Sequence, residues 1–101
     1  MAPNSEKVRH LRYESLRKRL KKEKNWPLQY RHKIIGKNVE SFHIEIKVLE
    51  EMFPRMNMLE SNTSKNGTYL SLTYELRALH VDEIIELWIE SEKIKDIVTI
   101  F

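Results

Sequence analysis

From Tyr69 to Ala78 the chain alternates without a break. Leu70, Leu72, Tyr74, Leu76 and Ala78 fall on one side; Tyr69, Ser71, Thr73, Glu75 and Arg77 fall on the other. A period of two is the signature of a strand with one face buried and the other open or shared. Ser64-Lys65-Asn66-Gly67 stands just before it. Asn-Gly accepts the positive φ angles of a tight hairpin, so an earlier strand is expected to pair with this one. That strand is predicted at Asn57–Thr63.

Each side of the hairpin repeats the same units. Upstream, Tyr30, His32 and Ile34 alternate with Arg31 and Lys33, which predicts a strand over Leu28–Ile35 that Gly36 ends. Asn38 is the expected cap of a helix over Val39–Phe53, with Val39, Phe42, Ile46, Leu49 and Phe53 on one face. Pro54 blocks its continuation. Downstream, Val81, Ile84, Ile85 and Trp88 define the inner face of a helix over Val81–Lys93. Asp82, Glu83, Glu86 and Glu90 line its outer face, the first two well placed for a helix N-terminus. A last strand is expected over Asp96–Phe101. Two strand–helix–strand halves with both helices on one sheet face give an α+β fold, the ferredoxin-like βαββαβ sandwich. Right-handed crossovers then predict the strand order 4-1-3-2.

Charge divides the chain at about residue 25. Residues 1–25 hold nine Lys or Arg and three Glu, a balance of +6, while the remainder is −3, which together give the net +3. A basic arm, 1–25, therefore precedes a mildly acidic domain, 26–101. The arm has no glycine, and Glu14 precedes Lys18 by four residues in the favourable order, so it is predicted to be helical. Its apolar stripe of Tyr13, Leu16 and Leu20 is thin, and an isolated helix of that kind is marginal unless it docks. Pro27 disfavours helix at Trp26 and marks the boundary.

Catalytic chemistry has little support. Cysteine is absent, which removes disulfides, thiolate metal ligands and thiol nucleophiles. His10, His32, His43 and His80 lie on four different elements, without the spacing of a helical metal site. His32, on the inner face of a strand, is read as a satisfied core histidine rather than a base. The glycine-rich phosphate and dinucleotide motifs are missing from a chain with two glycines. No apolar stretch approaches the ~20 residues of a membrane span, and the first residues lack an apolar secretory core. The expectation is a cytoplasmic, non-catalytic protein without cofactor or metal.

The segment from Trp26-Pro27 to Phe101 resembles the YbeD-like family of small bacterial proteins of unknown function. The resemblance rests on Tyr30-Arg31-His32-Lys33-Ile34-Ile35-Gly36, on Ser64-Lys65-Asn66-Gly67-Thr68-Tyr69 with Ser71 following, and on Val98-Thr99-Ile100-Phe101. It implies a ferredoxin-like fold similar to ACT-type regulatory domains, which commonly pair. It carries over no catalytic residues, and the basic arm departs from the short members of the family.

Interaction surfaces are thus the candidate sites. Ile44 and Val48 form a second apolar stripe on the first domain helix, with Met52 between the two stripes, and Tyr69 is expected on the open sheet face. The leading expectation is a regulatory or binding module that engages a protein, itself as a homodimer, or a small metabolite. The alternative is nucleic-acid binding led by Arg12, Arg17, Arg19, Lys21 and Lys22 of the arm. The acidic outer face of the second domain helix offers the arm a docking site of opposite charge.

Overall fold

The computed structural model describes residues 13–101. A helix over residues 13–21 (α1) is followed by β1 (Leu28–Lys37), α2 (Glu40–Met52), β2 (Met56–Thr63), β3 (Tyr69–Ala78), α3 (Val81–Glu92) and β4 (Ile97–Ile100). The four strands form one antiparallel sheet in the order β2-β3-β1-β4. Read from the β4 edge, this is the order 4-1-3-2. The fold is α+β, with three helices and a four-stranded sheet.

The alternating strand lies at the centre of the sheet. All five apolar residues that alternate along β3 are buried, and β1 contributes His32, Ile34 and Gly36 to the same face. Phe42, Ile46 and Leu49 of α2 and Ile84 and Leu87 of α3 complete the core, with Ile94 and Met56 at its margins. Leu87 is fully buried although the sequence reading did not place it on the inner face. Val39 was expected in the core and is exposed, because it precedes the first turn of α2 rather than lying on its inner stripe.

Three local expectations require correction. Gly36 does not end β1, which runs on to Lys37. Its missing side chain instead admits the Phe42 ring, which a Cβ at this position would overlap. Here the glycine serves close packing of a helix on a strand. The β1–β4 register also shifts between Ile35 and Gly36.

Asn38 does not cap α2. The N-cap is Val39, and Asn38 is turned toward the hairpin and a helix histidine. Its Nδ2 donates to the Gly67 carbonyl at 3.1 Å, and its Oδ1 lies 2.7 Å from His43 Nε2.

The hairpin is wider than a two-residue turn. Ser64 N–H donates to the Tyr69 carbonyl at 2.8 Å, and Gly67 N–H donates to the Ser64 carbonyl at 2.8 Å. Gly67 alone among the described residues has a positive φ, +75°. The loop is therefore built on a turn that needs a left-handed residue only at its end.

Candidate interaction surfaces

The fold gathers the sequence-predicted site residues onto three separate surfaces. Arg12 lies outside the described residues. Arg17, Arg19 and Lys21 belong to α1, which packs along α3. Tyr13 is buried, its hydroxyl donating to the Glu92 carboxylate, and Arg17 pairs with Asp82. The Arg17 guanidinium holds the Asp82 carboxyl below the usual carboxylate range. Glu14 lies 3.7 Å from Arg17 Nε. Leu20 packs against the core, and Arg19 is near enough to the Tyr30 hydroxyl to favour its ionised form, although burial dominates and raises the Tyr30 pKa. Lys21 lines the hollow around Trp26, Leu79 and Asp82, while Lys22 is exposed in the turn after α1. The described part of the arm thus meets α3 through the buried Tyr13 and the Arg17–Asp82 pair.

Beneath α3 lies a polar contact within the core. His32 and Ser91 are both fully buried, with His32 Nε2 2.9 Å from Ser91 Oγ. Trp88 meets the His32 ring edge-on at 5.6 Å and donates its indole N–H to the Tyr30 hydroxyl at 2.6 Å. Burial pushes the His32 pKa down to about 4, so the ring is neutral near pH 7. Its Nδ1 has no hydrogen-bond partner among the described residues. The His32 ring is sealed from solvent. It registers α3 on β1.

The second surface joins α2 to the sheet edge. Ile44, Val48, Met52 and Met58 are 57%, 51%, 48% and 45% exposed; Ile44 and Met58 lie on the β2 side of α2, whereas Val48 and Met52 line a hollow toward α3. Ile44 and Lys47 of α2 and Met58, Ser61 and Thr63 of β2 flank a groove of about 580 Å³ floored by Leu70 and Leu72. Here the sequence reading found the helix half of the surface and missed the strand half. Met58 shares the core-facing side of β2 with Met56, since it stands opposite the buried Tyr74, but α2 does not reach over it. The only signal was a short, weakly alternating strand.

β2 is also an edge strand, eight residues long, with its pairing to β3 interrupted by a bulge at Leu59. It contains one charged residue, Glu60, and no proline. Edge strands of stable monomers are usually shortened, charged or covered. The opposite edge, β4, is only four residues long.

The third surface is the open face of the sheet, which bears Tyr69. Gln29, Arg31, Lys33 and Lys37 of β1 are exposed there, beside Tyr69 and Arg77 of β3. Lys33 exchanges both backbone hydrogen bonds with Phe101, and its Nζ lies 5.7 Å from the Phe101 ring centroid. No groups of His, Asp or Glu positioned to hold a metal ion occur among the described residues, and no described helix is long and apolar enough to cross a membrane.

A two-layer α/β module with exposed surfaces and a sealed polar core is the class this geometry defines. Residues 21–100 match the family described as "Protein of unknown function (DUF493)", and the chain belongs to that family, the YbeD family of small bacterial proteins. The solution structure of protein HP0495 from H. pylori is similar, with a TM-score of 0.58 and 18% sequence identity, over 78% of this chain and 86% of that one. That likeness concerns the fold alone. No curated protein sequence matches the chain.

Proposed function

We propose that this chain is a non-catalytic, ferredoxin-like binding module with an ACT-like regulatory role, whose binding surface is the β2 edge together with the β2 side of α2. Its first occupant is a second copy of the chain. One observation carries the reading: the unprotected edge strand borders a groove flanked by the exposed Ile44 and Met58. A twofold axis normal to the sheet would pair β2 with β2 antiparallel, extending the sheet from four to eight strands. The same operation brings the β2 sides of the two α2 helices toward each other, so Ile44 and Met58 approach their own counterparts. An isologous contact of this kind closes on itself and needs no further subunit.

Chemistry also favours association through this surface. Fully burying one such apolar side chain stabilises by about 1.5–3 kcal/mol, so partial burial of Ile44 and Met58 on each copy adds to the backbone pairing of β2. Sedimentation velocity over a concentration series tests the reading. A concentration-dependent shift from monomer to dimer is expected, and Ile44→Asp should abolish it without loss of fold. A monomer at the highest concentration would overturn it.

A further inference from the structure

We propose that the open face of the sheet binds single-stranded nucleic acid. The face is built from the two central strands, so it is rigid, and no described helix covers it. Four cations project from it: Arg31, Lys33 and Lys37 from β1 and Arg77 from β3. In the strand register Lys37 faces Tyr69, Lys33 faces Thr73, Arg31 faces Glu75, and Arg77 faces Gln29. The cations therefore recur along the whole ten-residue length of β1 rather than clustering at one end. Glu75 and Glu60 are the acidic groups on the same face, leaving it net positive.

Two exposed aromatic rings stand at the border of this strip. Tyr69 opens β3, and Phe101 lies next to Lys33 beyond β4, on the opposite side of β1. From the sequence, β3 offered Tyr69 with no second aromatic platform after it. The fold supplies the second ring from another strand. Tyr69 and Lys33 are four β1 residues apart in register, about 13 Å along the strand, with two further strand spacings of about 4.8 Å across. That separation spans a few nucleotides. Cations that track a backbone, interleaved with rings on which bases stack, are the sequence-tolerant chemistry of single-strand binding.

The alternatives fit less well. An acidic peptide would satisfy the cations but leave both rings without a stacking partner. Protein hot spots are apolar or aromatic anchors seated in desolvated pockets, and the middle of this face offers hydroxyls, charged groups and the half-buried Ile35 as its one apolar side chain. A duplex presents bases that are already stacked. The arm is not required, since α1 packs on α3 in the helix layer. Pairing through β2 would continue the sheet and set two such faces side by side, so this inference stands whether or not the chain dimerises.

Fluorescence anisotropy with labelled twelve-nucleotide oligo(U) and oligo(dT), using the full chain at low salt, tests the proposal. Saturable binding to both is expected, at least tenfold tighter than to a duplex of equal length or to poly-glutamate. Combined Tyr69→Ala and Phe101→Ala should weaken binding about tenfold or more. Combined Arg31→Gln, Lys33→Gln and Arg77→Gln should lower the slope of log affinity against log salt by about 2. Lys21→Glu with Lys22→Glu, on the helix side, should change affinity less than twofold. NMR shift mapping on the unmodified protein should place the perturbed amides on β1, β3 and Phe101, a result independent of how the variants fold. No binding at low salt, equal binding of poly-glutamate, or shifts confined to α1 would each overturn the proposal.

Discussion

At the scale of single residues, His32 and Gly36 carry more of the fold than their neighbours. His32 titrates near pH 6.5 when unfolded and near pH 4 when folded. Because the folded-state pKa is depressed, the unfolded chain binds the extra proton first as pH falls. Stability is full above pH 6.5 and is lost progressively between pH 6.5 and 4, by about 3 kcal/mol in total. Urea unfolding at pH 7, 6, 5 and 4 should show this decline, and His32→Leu should flatten that component of it. Gly36→Ala would drive a Cβ into the Phe42 ring. The expected cost is about 1–3 kcal/mol at constant pH, measured by the same unfolding method. Both residues were visible in the sequence, but only half read. Alternation placed His32 inside, while its partner Ser91, 59 positions away, had no local signal. Gly36 was read as a terminator because packing against Phe42 is a tertiary fact.

At the scale of elements, α1 shows how little charge alone decides. Arg17 with Asp82 is partly exposed, so Arg17→Ala should cost no more than about 1 kcal/mol. Tyr13 is buried against α3, and Tyr13→Ala should cost about 3 kcal/mol and raise hydrogen exchange throughout α1. If the two substitutions cost the same, the helix would be held by charge rather than packing. Strands and helices were largely legible, because alternation along β3 and the 42–46–49 spacing in α2 are strong periodic signals. β2 was the least legible. Seven of its eight residues are exposed, so burial imposes no period on it, and its role as an uncovered edge emerges only from strand order. The turn at Asn66-Gly67 was rightly located, yet its width depended on Ser64 and on contacts from Asn38 in a distant loop.

At the scale of the whole molecule, the two layers differ in character. The helix layer displays the acidic groups of α2 and α3, with α1 docked on α3 and apolar side chains exposed on α2. The sheet layer presents a net positive, open face and ends in one long edge. The buried His32–Ser91 pair joins α3 to β1 inside the core. The central claim is that β2 and the β2 side of α2 form one pairing surface. Hydrogen exchange of the β2 amides that point away from β3, followed over a concentration series, reads that surface directly. Protection of those amides should rise in step with the dimer fraction and vanish in Met58→Lys, while β4 amides stay unchanged. Rapid exchange of the same amides at every concentration would contradict the account.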